Sequence, residues 1–460
     1  MSLEKVIKFV VTIFVISIVS RSIEEISFIY YIVPVMCFSF IILLFISSKF
    51  NRSKNRDGDT SAMLSVTEYS KQHSHHPSTI FHKSFFLFSA KGGFRFTQYL
   101  PSSIFHYTSY FFLLPGLWFL LTSFWSSYPE ISAVRALYFI LISSGSIAAG
   151  ILWTQFSPKN ILGFLLPSNV IIILLCTFSL LTNIPSDSWT GGHGKGFMGF
   201  FGHQNLLASV ILFTIPSVID LRTRVKSPKS KVFFYLLITS NLIFLIITYS
   251  RASIVSLLFG VIIFLILNRN WRILFYSSIV AVLVFIAILF TPSLNQFADK
   301  IIKKDFPEVY SSRIWMWNPS YKAALEGGLF GLGYGISHPD IRSGEYSDHF
   351  ENGRFIREKG NSVLALTEES GIVGLILFLL PIIYLLIKLT IKNERSEIKK
   401  NNYSLLIINS TFAVLLLHAQ FEAWWVGVGS VQLPLFFVYL GLIIHQPSNN
   451  EIKPRYYYWL

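Results

Sequence analysis

Residues Thr291–Lys359, TPSLNQFADKIIKKDFPEVYSSRIWMWNPSYKAALEGGLFGLGYGISHPDIRSGEYSDHFENGRFIREK, are the long hydrophilic interruption in the second half of a chain otherwise suited to lipid. The stretch is too long to be a simple connection between two spans. It carries Ile301, Phe306, Trp315, Trp317, Tyr321, Leu329, Phe330 and Tyr334, enough apolar material to fold against a membrane surface or a helical bundle. Within it, Ser312 to Ala324 predicts a helix with Ile314, Trp317, Tyr321 and Ala324 on one stripe. The following Glu326 to Gly335, EGGLFGLGYG, predicts turns.

On either side of this stretch the chain turns apolar. Of its 460 residues, 52% are hydrophobic and 13% charged, and the mean hydropathy is +0.55. That is too little charge to cover a soluble fold of this size. Apolar runs of roughly 15 to 29 residues recur, each long enough, or nearly so, to cross about 30 Å of hydrocarbon as a helix. They predict an all-α integral membrane protein of about twelve transmembrane helices. The expected spans are 6–20, 26–47, 106–125, 132–153, 160–182, 204–220, 232–249, 252–268, 273–291, 361–389, 403–420 and 425–445. The first follows Lys5 and Lys8, as a secretory signal would, but no small-x-small cleavage pattern follows it, so it reads as a retained helix.

The organisation expected is an N-terminal membrane hairpin (1–48), a basic cytoplasmic loop (49–98), a first part of the membrane core (99–291), a large extracytoplasmic loop between spans 9 and 10 (292–359), a C-terminal membrane core (360–446) and a cytoplasmic tail (447–460). With both termini inside, most Lys and Arg fall in inner loops, as the positive-inside rule requires. The net charge of +14 is thus mainly a topology signal, and nucleic acid is not an expected partner. Cys37 and Cys176, the only cysteines, lie in apolar spans, so neither a disulfide framework nor a metal-thiolate site is available. No metal or other cofactor is expected. His73, His75, His76 and His82 cluster in the inner loop without Cys or carboxylate partners, a weak metal signal.

Arg251 stands at the outer, N-terminal end of a span, against both the positive-inside rule and the helix dipole. Two readings are open: an arginine snorkelling to headgroup phosphates, or an anion site shared with exposed backbone N–H groups. The same geometry recurs where spans are entered through Arg135, through His203-Gln204-Asn205, and through Asn361-Ser362, with Asn205 and Asn361 as candidate N-caps. Outward N-termini combined with Arg251, Arg313 and Arg135 suit a phosphate or pyrophosphate, which a guanidinium grips bidentately. Glu368 and Glu369 lie one to two turns into a span, where a carboxylate is costly and usually faces a cavity; a solvated helix end is the alternative. Gly371 and Gly374 read either as part of this constellation or as close-packing residues. His203, His338 and His349 on the outer side are candidate general bases or simply surface and capping residues.

The order of several pieces resembles the O-antigen ligase and O-antigen polymerase superfamily of membrane glycosyltransferases. They are Trp125-Ser126-Ser127-Tyr128-Pro129-Glu130, Gly199 to Ala208 (GFFGHQNLLA), Ser250-Arg251-Ala252-Ser253, Arg313-x3-Trp317, Gly331-Leu332-Gly333-Tyr334-Gly335, and Asn361-Ser362 followed by Glu369-x-Gly371-x2-Gly374. The resemblance spans about residue 110 to 445. It implies a fold like the C-type glycosyltransferases, a polyprenyl-pyrophosphate-linked oligosaccharide donor, and a glycan or lipid acceptor. It further implies a bacterial inner-membrane location, an active site facing the periplasm or cell exterior, and contacts with other polysaccharide-assembly membrane proteins. Arg251 and Arg313 would hold the pyrophosphate, and Glu422 matches an acidic position of relatives. One departure stands out: the ligases carry His immediately before the Asn-Ser pair, where this chain has Gly360. The expected function is therefore polymerisation of lipid-linked units. Its base is one of His349, His338, Glu422 and Glu368, in descending order, and Arg251, Arg313, Arg135, His203, Asn205, Asn361 and Ser362 bind substrate. A ligase acting on lipid A-core or protein is the alternative, and a lipid-linked glycan flippase the reading from another class.

Overall fold

A backbone in hydrocarbon must satisfy its own N–H and C=O groups, so apolar runs of this length become helices. The computed structural model describes residues 3–20, 33, 36–37, 39–40, 113–158, 160–184, 196–292, 296, 311–338, 359–395 and 403–445. Among these residues there are twelve α-helices and no strand: α1 (Leu3–Ser20), α2 (Leu113–Thr122), α3 (Pro129–Phe156), α4 (Leu166–Thr182), α5 (Gln204–Arg224), α6 (Pro228–Ile247), α7 (Arg251–Leu267), α8 (Trp271–Phe290), α9 (Ser311–Gly327), α10 (Ser362–Arg395), α11 (Tyr403–His418) and α12 (Gln432–Ile444). Helices α1–α8 and α10–α12 each coincide with one expected span. The expected span 26–47 lies mostly outside the described residues, as do the basic loop and the C-terminal tail.

Five segments are long and apolar enough to cross a bilayer by length and composition: Pro129–Phe156, Gly163–Thr182, Gln204–Arg224, Pro228–Ile247 and Ser362–Ile387. Shorter apolar helices accompany them. On α8, Trp271, Phe275, Tyr276, Val280 and Leu283 are all exposed, and α6 exposes Val232, Leu236 and Ile243. Apolar surface of that extent is stable in lipid and not in water. The chain is a multi-pass membrane protein.

Packing follows small residues and polar pairs. Where α3 meets α12, a Cβ on Gly441 would sit 2.3 Å from the Ile147 carbonyl oxygen, and one on Gly150 would sit 2.3 Å from that of Val438. Two bare backbones touch there, as small residues allow in membranes. Three other helices are tied by amides: Asn169 Nδ2 on α4 donates to Thr214 Oγ1 on α5 (2.9 Å) and to Asn241 Oδ1 on α6 (2.8 Å), and Asn241 Nδ2 returns a bond to Asn169 Oδ1 at 3.1 Å. At the C-terminal end of α5, Arg224 pairs with buried Asp220 (2.9 Å) and donates to Ser404 at the start of α11.

Residues 311–338 of the hydrophilic stretch pack into the core. Helix α9 forms where expected, but its buried stripe is Met316, Ser320, Ala323, Ala324 and Gly327, while Ile314 and Tyr321 are exposed. The reason is close approach: a Cβ on Gly327 would lie 2.7 Å from the Thr367 and Glu368 carbonyl oxygens, so the small-residue face, not the aromatic one, packs on α10. Past α9, Tyr334 is fully buried, stacked on Phe119 with ring centroids 4.3 Å apart and 4° between planes.

Helix α10 is broken at Gly371, whose backbone (φ 70, ψ −178) falls in a region that essentially only glycine adopts. An unbroken helix would bond Ile372 N–H to Glu368 O and Val373 N–H to Glu369 O. Instead Ile372 N–H donates to Gly328 O (3.1 Å) and Val373 N–H to Leu329 O (3.2 Å), while Leu332 N–H and Gly333 N–H take Glu368 O and Glu369 O, both at 3.0 Å. The two segments trade their i→i−4 partners, and Gly331 (φ 81) mirrors Gly371 in the exchange. These four N–H groups all find carbonyl partners across the crossing. Gly371→Ala places a methyl 2.1 Å from Leu329 O on a disfavoured backbone; a loss of about 2 kcal/mol or more is expected, read as a lowered thermal midpoint in detergent.

Candidate functional site

The N-termini of α5, α7 and α10 and the C-terminus of α11 meet at one end of the bundle, around the loop 419–431. Their meeting point is Glu422. Its Oε1 accepts from Asn205 Nδ2 at 3.1 Å and from Arg313 Nη2 at 3.1 Å. Ser362 Oγ donates to the Glu422 carbonyl (2.7 Å) and accepts from Trp425 N–H (3.2 Å). Asn361 caps α10 by accepting Leu364 N–H at 3.0 Å, and its Nδ2 donates to Gln420 O at 2.8 Å. The residues that begin α10 therefore also shape the loop that carries Glu422.

At α5 the cap is His203, whose Nδ1 accepts the Asn205 N–H at 3.1 Å. Asn205, expected as a cap, sits inside the first turn, and its amide is turned to Glu422 instead. Arg251, half-buried, opens α7; it and Arg313 are near enough for their like charges to interact. Glu422 thus faces the Arg313 guanidinium and the first turn of α5, with Arg251 close enough to Arg313 for the two charges to interact.

Two buried residues tie this region together and were not singled out in the sequence. His418, at the end of α11, lies 3.2 Å from Ser253 Oγ through Nε2 and accepts the Trp424 indole N–H at Nδ1, also 3.2 Å. The accepted bond leaves Nε2 as the protonated nitrogen of a neutral imidazole, donating to Ser253. A histidine ending an apolar run was the available signal.

The second is Lys359. Its Nζ is 2.5 Å from Glu369 Oε1 and 3.4 Å from Glu368 Oε2, with the three side chains 2%, 1% and 0% exposed. Glu369 Oε2 also accepts Gly335 N–H (2.7 Å), and Glu368 Oε1 accepts His338 N–H (2.9 Å). Arg135 Nη1 donates to Gly335 O at 2.6 Å. Burial holds the Tyr334 phenol protonated well above its ordinary range; the Glu369 charge adds to this and Arg135 opposes it. Glu368, Arg135 and His338 therefore belong to a second set, buried at Lys359, Glu368 and Glu369 and part-buried at Arg135 and His338, that anchors the 331–338 turns.

The two sets are joined by residues 359–362. Ser320 Oγ donates to Lys359 O at 2.8 Å, and Trp317 Nε1 to Gly360 O at 3.0 Å. Gly360 itself has φ +64, and a Cβ there would stand 3.3 Å from Met316 Cβ. Of the sequence-predicted site residues, Arg251, Arg313, His203, Asn205, Asn361, Ser362 and Glu422 come together, Arg135, His338 and Glu368 form the neighbouring set, and His349 lies outside the described residues. Among the described residues no group of three or more His, Cys, Asp or Glu is arranged to hold a metal ion; His73, His75, His76 and His82 are not among them.

Residues 234–379 match the model of the family described as O-antigen ligase. The match contains Arg251, Arg313, Lys359, Asn361, Ser362, Glu368 and Glu369, and stops short of Glu422. No curated protein matches the chain.

Removing one member of a buried ion pair costs about 3–5 kcal/mol, because it strands the other charge. Lys359→Met leaves two buried carboxylates facing each other and is expected to abolish or strongly reduce the folded yield. The double change Lys359→Met with Glu369→Gln is expected to recover part of it, measured by monodisperse protein on size exclusion.

Proposed function

We propose that this protein transfers glycan units from a polyprenyl-pyrophosphate carrier, joining them into a polymer at the periplasmic or outer face of the bacterial inner membrane. The single observation that carries the reading is the pairing of Arg313 with Glu422 beside the N-terminal ends of α5 and α10, with Arg251 close to Arg313. The O-antigen ligase family match over 234–379 supports the reaction class, membrane glycan transfer on lipid-linked substrates. Both termini lie on the cytoplasmic side in this reading, because the basic residues within 222–231 and 388–395 fall at the ends opposite Gln204 and Ser362.

The chemistry follows from the charges. An acceptor hydroxyl oxygen attacks the anomeric carbon and forms the new glycosidic bond. The bond from that carbon to the phosphate oxygen breaks, and its electron pair stays on the departing polyprenyl pyrophosphate. Arg251, Arg313 and the N-terminal N–H groups stabilise the charge that develops there. The hydroxyl proton passes to Glu422, the carboxylate that lies within this cluster. Glu368 has its oxygens taken by Lys359 and the His338 N–H, which favours a structural part for it. The positive charge needed comes from side chains and helix ends, so the scheme uses no metal.

The family description favours a second reading, a ligase that hands finished glycan to lipid A-core or a protein. The backbone at Gly360 favours polymerisation over it. A histidine at that position, which the resemblance assigns to ligases, would need positive φ beside Met316. The two readings separate in cells: loss of a polymerase leaves single repeats on the acceptor, and loss of a ligase leaves long chains on the carrier. Carrier release by purified protein given lipid-linked donor separates either from a flippase.

Arg251→Ala and Arg313→Ala are each expected to lower polymer formation about a hundred- to thousandfold at normal expression; full polymer formation in both would sink the proposal. Gly360→His, which supplies the missing imidazole, is expected to lower the thermal midpoint and not to raise transfer.

A further inference from the structure

We infer that His418 is a positioning residue: an imidazole bridging Trp424 and Ser253, it sets the place of Arg251 relative to the loop that carries Glu422. The inference deepens the reading above and rests on it, since it takes the cluster of Arg251 and Arg313 to be where pyrophosphate binds.

The ground is a juxtaposition. Ser253 stands two residues past Arg251 in the first turn of α7, and Trp424 stands two residues past Glu422 in the loop after α11. One ring joins them: His418 Nδ1 accepts the Trp424 indole N–H and Nε2 faces Ser253 Oγ, both at 3.2 Å. Ser250 Oγ donates to the same Ser253 oxygen at 3.2 Å, so the residues tied to the imidazole flank Arg251 in the chain. A neutral imidazole accepts at one nitrogen and donates at the other. Because the ring is rigid, it fixes a distance as well as satisfying two polar groups.

Both ends of this strut are held. His418, Ser250 and Ser253 are fully buried, and Trp424 nearly so. The Trp424 ring packs against Phe213 and Phe436, with centroids 6.0 and 5.4 Å apart. On the side of α10, the loop is fixed by Ser362 N–H to Ala419 O (2.9 Å), Asn361 Nδ2 to Gln420 O (2.8 Å) and Ser362 Oγ to Glu422 O (2.7 Å). His418 adds the tie to α7. Removing it strands a buried indole N–H and frees the first turn of α7 to shift against the loop, carrying Arg251 with it. A misplacement of about 1 Å is enough to cost about a hundredfold in rate. Since His418 is itself sealed, it acts through Arg251 and not on the substrate.

The test uses full-length protein in detergent, with inorganic pyrophosphate affinity measured by calorimetry beside the thermal midpoint and the rate of transfer from lipid-linked donor. His418→Phe keeps a ring and loses both bonds. It is expected to weaken pyrophosphate binding about two- to tenfold, the size of one hydrogen bond, and to lower kcat about ten- to a hundredfold. His418→Gln, which keeps a donor for Ser253, is expected to recover part of both; a folded Gln variant no better than Phe overturns the inference. In the Arg251→Ala background His418→Phe is expected to weaken binding no further, and an undiminished further loss overturns the route through Arg251. A merely structural His418 predicts a lower thermal midpoint with unchanged affinity in the folded protein, and that result overturns the inference while leaving the anion site standing. Should His418→Phe not fold, Ser253→Ala breaks the same tie by removing one oxygen; it is expected to weaken binding in the same direction, and unchanged affinity overturns the inference. No pyrophosphate binding by folded wild type overturns the anion site and this inference with it.

Discussion

The architecture around the site depends on a trade of backbone hydrogen bonds between residues 328–333 and 368–373. A helix broken within a membrane protein exposes N–H and C=O groups that lipid cannot satisfy, at several kcal/mol each. Here each segment supplies what the other lacks, and Gly331 and Gly371 provide the backbone angles. The trade turns Glu368 and Glu369 toward Lys359 and the 335–338 backbone. It also brings α9 against α10, and so holds Arg313 at the mouth of the bundle. Trp118 and Trp125 seal the crossing by donating to Ser370 O and Gly331 O at 2.8 and 2.9 Å.

Two carboxylate–cation groups sit on either side of Gly360 and differ in one physical respect, access to water. Lys359 between Glu368 and Glu369 is enclosed, and every oxygen has a partner. Such a group holds geometry and resists change, because any rearrangement strands a buried charge. Glu422 with Arg313 is partly open, at 22% and 17% exposure. It can exchange partners at modest cost. The short run from Lys359 to Ser362 transmits the rigidity of the first group to the second, through the bonds from Ser320 and Trp317 to its carbonyls.

Much of the site was legible because its residues break rules of composition. Arg251 at a helix N-terminus defies the preference set by the helix dipole, and Glu368 and Glu369 within an apolar run invite explanation. The helix Ser311–Gly327 was legible as well, but not its buried face. Aromatic side chains mark an apolar stripe in sequence, whereas close backbone approach selected Ser320, Ala323 and Gly327. Lys359 and His418 were not legible as partners. Their hydrogen-bonding residues lie 10 and 165 positions away, and no local period relates them.

The amino-acid sequence by itself determined that the chain is helical and lives in a bilayer, since its few charges and long apolar runs admit no other solvent. It also marked residues, such as Arg251, Glu368 and Glu369, whose placement needs a physical explanation. Only the tertiary structure decided how they divide. Arg251, Arg313, Asn205, Ser362 and Glu422 share one open cluster, and Arg135, His338 and Glu368 a closed one. The physical reason is that a side chain's partners, and its distance from water, are set by which helix ends meet and where a helix breaks. Those are properties of the packed bundle, fixed by contacts between segments far apart in the chain.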